Sequence, residues 1–346
     1  MNPHGLGDII MMFPLLKCLR DTRPKCISLS VKSQIEADII HYFFPSILLE
    51  HIIIVSSFKR TNNSIVAFIK YVRSIQKISP DIVLSVFNVH PMLSSIASIL
   101  SMAKIRVGFS SHWDFLFSNI AVFQPEKHKV FQHLALLDTL NGKKKRIHPL
   151  FPSFIAQNKA TDKVVKLLKA SGVTMNNHCI IGIAPGSGNF EKHKRWPGKK
   201  FAELIQLIQT LPNVYALIIG SSQEYSLSQE IMKSVNDRHR VINMTGKTTI
   251  IETAHALRIC RVVIANCNGL SHLSGSVGTT VIGLYGPTDP FFTGVFSPDL
   301  TIIQKKMRCI PCYCRENTSG CGNPVCMRHI SVHEVFESLK KYIVDV

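Results

Sequence analysis

The residues with the clearest chemistry stand together just past the middle of the chain. Gly186, Ser187 and Gly188 follow Pro185 and offer backbone N–H groups with little side-chain obstruction, and four cations, Lys192, Lys194, Arg195 and Lys199, lie close behind. Small-residue amides backed by cations make an anion cradle, the chemistry of phosphate binding. The plainer reading is a tight turn followed by a solvated basic face, and a short glycine motif alone does not choose between the two. No Gly-Lys-Ser/Thr closes the loop, so it is not a Walker A sequence. Near the amino end, Gly5-Leu6-Gly7-Asp8 leads into an apolar helix, where an Asp most commonly serves as a cap. Near the other end, Cys309, Cys312, Cys314, Cys321 and Cys326 cluster. Their CxxC-type spacing could hold zinc, but the second CxxC or His pair of a standard zinc module is missing.

These groups sit in a chain of 346 residues, for which two domains are expected. With 46% hydrophobic and 18% charged residues, the composition is globular rather than disordered. Lys and Arg outnumber Asp and Glu by 40 to 22, a net charge of +18 spread along the chain, and the excess predicts anionic partners. The apolar stretch from Ala37 to Val55 carries Asp38, His41, Pro45, Glu50 and His51, so a membrane span is not expected. Met1 runs straight into Asn2-Pro3-His4 without the pattern of a secretory leader. The expected placement is cytoplasmic, with contact to the inner face of the membrane. The other cysteines, Cys18, Cys26, Cys179, Cys260 and Cys267, are scattered, mostly in or beside apolar runs, as buried thiols usually are.

The elements that must position these residues follow from periodicity. Cys179 to Ala184 is a short apolar run closed by Pro185-Gly186, which predicts a buried strand, and Pro197 suits the first turn of a helix through Phe201, Leu204, Ile205 and Ile208. Strand, glycine loop with cations, then helix reads as a phosphate-binding βα turn. In the first half, strands are expected at 26–31, 52–55, 82–87 and 105–109, and helices at 33–43, 63–77, 92–103 and 128–140. Only four residues precede Gly5, so the strand that should come before that glycine turn is expected to be missing or shortened, with a true start upstream. Lys143-Lys144-Lys145-Arg146 with Pro149 and Pro152 reads as a connector, and domains are expected at 1–148 and 149–330, with a C-terminal helix within 331–346. The second half alternates strands at 179–184, 214–220, 240–243, 261–265 and 280–284 with helices, a second Rossmann-like unit. In such sheets ligands bind beyond the carboxyl ends of the strands. The segments there are Pro185-Gly186-Ser187, Gly220-Ser221-Ser222, Met244-Thr245-Gly246-Lys247, Asn266-Cys267-Asn268-Gly269 and Tyr285-Gly286-Pro287-Thr288.

Taken in order and spacing, these motifs resemble glycosyltransferase family nine, typified by the ADP-heptose:lipopolysaccharide heptosyltransferases. The resemblance rests on Gly5 to Asp8, Pro185-Gly186-Ser187 with Lys194-Arg195-Trp196-Pro197, Thr245-Gly246, Asn266 with Gly269-Leu270-Ser271-His272-Leu273, and Gly286-Pro287-Thr288-Asp289-Pro290. The cysteine-rich tail also looks like that of many heptosyltransferases. The resemblance implies an α/β GT-B architecture, two Rossmann-like domains with parallel sheets facing across a cleft, the acceptor on the first and the nucleotide sugar on the second. It implies transfer with inversion, Asp8 as catalytic base and Gly7 beside the acceptor. Ser187 and Lys194 become pyrophosphate ligands, Glu224 a contact to the nucleotide ribose, and Thr245, Gly246, Asn266, Gly269, Leu270, Ser271 and His272 the remainder of the donor site. No cofactor and no metal site are implied; a divalent cation is expected at most to stimulate. The implied partners are a nucleotide-diphosphate sugar and an anionic glycolipid at the inner-membrane surface, met by a monomeric peripheral protein that binds no nucleic acid.

The expected function is therefore transfer of a sugar, heptose on the family pattern, to lipopolysaccharide core or a related cell-surface glycan. Cys267 stands where the family usually has Asp, and with the missing first strand this leaves a transferase of a different sugar, or a catalytically impaired nucleotide-sugar-binding homologue, as the alternatives. A zinc-bearing nucleic-acid binder fits less well, because the cations are not interleaved with aromatics. A nicotinamide enzyme is disfavoured because neither half shows G-x-G-x-x-G after a strand with an acidic residue at the usual distance.

Overall fold

A computed structural model describes residues 5–22, 26–45, 49–54, 64–86, 91–111, 113–141, 158–174, 177–188, 191–312 and 321–343. The chain divides into two compact units, Met1–Pro152 and Ser153–Val346. The basic connector expected between them lies outside the described residues.

The first unit runs α1 (Leu6–Met11), α2 (Phe13–Asp21), β1 (Ile27–Val31), α3 (Gln34–Phe43), β2 (Leu49–Ile54), α4 (Ser64–Ile78), β3 (Ile82–Leu84), α5 (Pro91–Leu100), β4 (Ile105–Phe109), β5 (Asn119–Ala121) and α6 (Lys129–Asn141). The helix entered at Gly5 does not run on through Pro14: it divides at Met12, and Pro14 takes a place in the first turn of α2, where its missing N–H costs nothing. Among the described residues the strands form two parallel ladders, β1 with β2 and β3-β4-β5. β5, which periodicity did not announce, has only three residues and joins β4 by pairing Val107 with Asn119 and Phe109 with Ala121. Phe13 is fully buried against Phe43 and Phe44, with ring centroids at 4.8 and 5.3 Å. Val130, Leu134, Leu136 and Leu137 bury one side of α6, which packs on α2.

The second unit runs α7 (Asn158–Ala170), β6 (Cys179–Ala184), α8 (Gly198–Ile208), β7 (Val214–Ile218), α9 (Tyr225–Ser234), β8 (Val241–Asn243), α10 (Ile250–Ile259), β9 (Val262–Asn266), α11 (Gly269–Ser276), β10 (Thr280–Tyr285), α12 (Pro290–Thr293), β11 (Leu300–Gln304), α13 (Val325–His329) and α14 (Val332–Lys340). Its six strands are parallel, in the order β11-β10-β9-β6-β7-β8. The chain starts in the middle with β6, builds out to β8, then returns to lay β9 on the other side of β6. The order therefore reverses between β6 and β9, and in open sheets the ligand crevice lies beyond the carboxyl ends at such a reversal. β6 and β9 are buried along their whole length, as central parallel strands covered on both faces must be. Their register, Ile181 on Val262 through Ala184 on Ala265, makes them end side by side. β11, also unannounced, pairs beyond β10 as an edge strand. α14, expected as a segment of its own, inserts Val335 and Leu339 into the core shared by Ile181, Ile183, Phe201, Ile205 and Ile264. Among the described residues no helix is long and apolar enough to cross a membrane.

Candidate functional site

In the second unit β6 ends at Ala184 and β9 at Asn266, and asparagine side chains tie the two exits together. Asn266 is fully buried. Its Nδ2 donates to the Pro185 carbonyl at 2.7 Å, and its Oδ1 accepts the Trp196 backbone N–H at 3.0 Å. Asn268 Nδ2 donates to the Gly186 carbonyl at 2.7 Å, while its Oδ1 caps α11 by accepting the Ser271 N–H at 2.9 Å. The glycine loop and the start of α11 are thus one stitched structure at the point where strand order reverses. Gly269, Leu270, Ser271 and His272 form the first turn of α11, and the start of a helix is the usual receptor for an anion.

The cation loop folds back on itself. The Ser187 hydroxyl donates to the Glu191 carbonyl at 2.7 Å and accepts from Arg195 Nε at 3.1 Å; Arg195 also donates to the Gly188 carbonyl at 3.0 Å. Lys194 is buried, with Nζ 2.6 Å from Glu191 Oε1. Between them His193 is buried, and burial first, then the Lys194 charge, hold its imidazole below the ordinary range against the opposing pull of Glu191. Gly188 has a φ of 76°, a backbone state in which glycine is unstrained. Trp196, sealed at 1% exposure, anchors the end of the loop by donating from Nε1 to the Ile330 carbonyl at 3.0 Å. Lys200 Nζ reaches the same carbonyl at 2.7 Å.

Glu224 lies across the Gly186 backbone: a Cβ at residue 186 would fall on Glu224 Oε1 and Cδ. Its Oε2 accepts from the Ser221 N–H at 2.8 Å and the Ser221 hydroxyl at 3.0 Å. The carboxylate therefore holds the turn after β7 as well as facing the loop after β6. Gly246 continues the rim, donating its N–H to the Gly220 carbonyl at 2.9 Å. Thr245 Oγ1 beside it is buried with no hydrogen-bond partner among the described residues, as is Thr288 Oγ1 after β10. Unmet buried hydroxyls are uncommon in folded chains, and these two belong to the strand-end segments of one rim. The second unit thereby gathers every donor-side residue expected from the sequence, Ser187, Lys194, Glu224, Thr245, Gly246, Asn266 and Gly269 to His272, onto the carboxyl edge of one sheet. Cys267 is buried between the two asparagines.

Gly7 and Asp8 belong to the first unit. Asp8 stands in the first turn of α1 behind Gly5, and its Oδ1 receives Lys129 Nζ at 2.9 Å from the opening residue of α6. One turn along α6, His133 Nδ1 lies 3.2 Å from the Met11 carbonyl. Complete burial, reinforced by Lys129, pushes that imidazole down to about 4 against the opposing hydrogen bond and the Asp8 charge, so it is neutral at pH 7 and donates from Nδ1. Glu36 of α3 is buried nearby; its Oε2 accepts the Lys32 N–H at 2.6 Å, and burial raises its carboxyl above the usual range, with Asp8 adding a smaller push in the same direction. Sequence reasoning had not singled out Lys129, His133 or Glu36. A lysine at a helix start reads as solvated, and nothing along the chain links position 129 to position 8. The N-cap position of α1 is Gly5, and Asp8 stands three residues on, in the first turn.

In the cysteine tail, Cys309 and Cys321 are exposed, Cys312 is half-buried and Cys326 is buried; Cys314 lies outside the described residues. Among those residues no group of three or more His, Cys, Asp or Glu is arranged to hold a metal ion.

Solved structures of similar fold include Escherichia coli ADP-heptose lps heptosyltransferase II, with a TM-score of 0.74, 19% identity and 99% of this chain aligned to 97% of that one. A glycosyl transferase family 9 protein from Veillonella parvula aligns with a TM-score of 0.78, 21% identity, 100% of this chain and 96% of that one. At these identities the likeness speaks to the fold, a GT-B α/β architecture with parallel sheets. By sequence the chain is 31% identical to lipooligosaccharide heptosyltransferase 2 of Haemophilus influenzae over 144 residues, 41% of each chain. It is 28% identical to lipopolysaccharide heptosyltransferase 2 of Escherichia coli over 128 residues, 36% of each. The aligned stretches thus span well under half the length of these curated relatives. The sequence model of Glycosyltransferase family 9 (heptosyltransferase) matches residues 70–322. That region holds the whole donor-side rim and Lys129 but leaves Gly7 and Asp8 outside. Since the match spans well over half of the chain, and the Rossmann-like second unit carries the rim within it, the chain belongs to glycosyltransferase family 9.

Proposed function

We propose that this chain is an inverting glycosyltransferase that moves heptose from an ADP-heptose-type donor to lipopolysaccharide core. The observation that carries the reading is the reversal of strand order between β6 and β9, where the Ser187–Arg195 loop and the amino end of α11 are stitched by Asn266 and Asn268. Such a rim suits a diphosphate: Lys194 and Arg195 supply charge, and the first turn of α11 supplies oriented amides. To admit the ligand, Lys194 exchanges Glu191 for a phosphate oxygen. Glu224, at the Gly186 backbone, would then meet the ribose. Relatives whose names state a heptosyltransferase activity, and a solved structure described as E. coli heptosyltransferase WaaC with ADP, support the choice of donor.

In the proposed reaction the acceptor hydroxyl gives its proton to Asp8. Its oxygen bonds to the anomeric carbon from the face opposite the diphosphate, and the bond from that carbon to the phosphate oxygen breaks. The configuration inverts and the nucleoside diphosphate leaves onto Lys194, Arg195 and α11. Stabilising that leaving charge is the task a metal performs in other transferases, so none is required here. The net charge of +18 suits a monomeric protein meeting an anionic glycolipid at the cytoplasmic face of the inner membrane. A second reading, a donor sugar other than heptose, is favoured by Cys267, a buried thiol where the resemblance leads one to expect a carboxylate.

A thermal-shift panel of nucleoside diphosphates and nucleotide sugars tests the donor site, and mass spectrometry of heptose-deficient lipopolysaccharide core incubated with ADP-heptose tests transfer. Stabilisation by ADP and a single added heptose are expected. Stabilisation by a different nucleotide sugar, with no added heptose, selects the second reading, and no stabilisation by any of them refutes both.

A further inference from the structure

We infer that Lys129 is the positioning residue for Asp8: its ammonium fixes one carboxylate oxygen and serves as the counter-ion that keeps the group ready to accept a proton. This rests on Asp8 being the base. The pair is 2.9 Å apart with the two side chains only 9% and 17% exposed, so neither is a solvated surface charge of the kind whose pairing contributes little. The residues are 121 positions apart, and the contact exists only because α6 lies against the start of the chain. A second bond, from His133 to the Met11 carbonyl, holds α6 to the end of α1 one turn further on. Lys129 is therefore placed by the helix that carries it, and it places Asp8 in turn.

The charged and titratable groups around Asp8 define what the lysine does. From α6 and its entry come Lys129, His128 and His133; from α3 and the residues before it come Glu36 and Lys32. His133 is neutral at pH 7. Glu36 is a second carboxyl whose charge disfavours that of Asp8. Lys129 sets its ammonium 2.9 Å from Asp8 Oδ1. With Oδ1 held, the carboxylate cannot swing away from the line of attack. A general base displaced by about 1 Å loses roughly a hundredfold in rate.

The test compares wild type with Lys129→Met, Lys129→Gln and Lys129→Arg, using ADP-heptose and O-deacylated, heptose-deficient lipopolysaccharide core, and follows kcat and KM across pH. Removing an adjacent opposite charge raises the pH at which a carboxylate ionises. The acid limb of kcat should therefore move up by about one pH unit in Met and Gln. In both, kcat at neutral pH should fall ten- to a hundredfold while KM for ADP-heptose stays within twofold; Arg should restore most of both. Gln keeps a donor without the charge and guards against a Met variant that does not fold. Asp8→Asn runs alongside as the control on the underlying reading. If it retains wild-type turnover, Asp8 is not the base and this inference falls with it. An inactive Asp8→Asn together with an unmoved acid limb in Lys129→Gln overturns the inference alone, leaving Lys129 as a strut between two helices.

Discussion

Gly186 is the position where the geometry gives the sharpest expectation. Its Cα faces the Glu224 carboxylate so closely that an added methyl group falls on Oε1 and Cδ. In Gly186→Ala either the strand exit or the carboxylate must move. The exit is held by Asn266 and Asn268 through the carbonyls on both sides, at 2.7 Å each, so the carboxylate yields. Moving it breaks its bonds from the Ser221 N–H and hydroxyl at 2.8 and 3.0 Å, which close the turn after β7. Losing these two charge-assisted hydrogen bonds, one of which is the cap of the turn, and displacing a buried carboxylate costs about 2–4 kcal/mol. Urea denaturation at pH 7 measures it. The assignment of cause comes from a cycle with Glu224→Ala: that change alone costs about 1–2 kcal/mol, but once the carboxylate is gone the added methyl group has room. Gly186→Ala should then cost less than about 1 kcal/mol in the double variant, a coupling of at least 1 kcal/mol between the sites. Additive losses, or a Gly186→Ala protein within about 0.5 kcal/mol of wild type, would refute the argument and with it the view that the glycine is there to admit Glu224.

Three further outcomes can be measured. Asp8→Asn should leave nucleotide binding intact in calorimetry and lower transfer by roughly two to four orders of magnitude, the usual share of a general base; undiminished turnover removes Asp8 from the mechanism. Lys194→Ala and His272→Ala should each weaken ADP binding by about 1.5–3 kcal/mol, non-additively if both groups meet one diphosphate, and wild-type affinity in Lys194→Ala would show that the loop holds no phosphate. His133 makes the first unit acid-sensitive. Its folded-state value of about 4 lies below the unfolded one, so its contribution is complete above about pH 6.5 and is lost as pH falls toward 4, at most about 3 kcal/mol. Urea midpoints from pH 7 to 4 should fall more steeply in wild type than in His133→Gln; parallel curves would refute it.

What could be read along the chain was what is local. β6 and its loop were legible because an apolar run ends at Pro185-Gly186 and four cations follow, and the alternation of strand and helix implied the parallel sheet. The placement of the strand-end residues on one rim then followed from topology, since parallel strands bring their exits to one edge. Contacts made across the fold were not legible. Lys129 looks like any basic residue opening a helix, and its meaning lies in the approach of α6 to α1. Asn266 could be placed at a strand end, but not recognised as the brace for Pro185 and Trp196. Glu224 carried an expectation about ribose from family resemblance, while its bonds to Ser221 belong to a turn visible only in three dimensions. β5 and β11 were missed because an edge strand of three or five residues needs a neighbour to define it, and Met12 was missed as a break because Pro14 fits a helix start as readily as it spoils an interior.

The indole of Trp196 finds its acceptor on Ile330, 134 positions later. A ribosome adding about 5–20 residues per second needs roughly 7–30 seconds to cover that distance. Throughout that interval the nascent second unit holds a glycine loop whose anchor has nothing to bond, and a central sheet lacking the helix that buries Val335 and Leu339 on it. The first unit, ending at Pro152, has by then long left the exit tunnel and is under no such delay. Synthesis thus imposes an order on maturation: the surface around Asp8 can be finished while the glycine loop is still waiting for the last part of the chain, and a ribosome that stalls before residue 330 leaves a protein with Asp8 in place and that loop unanchored.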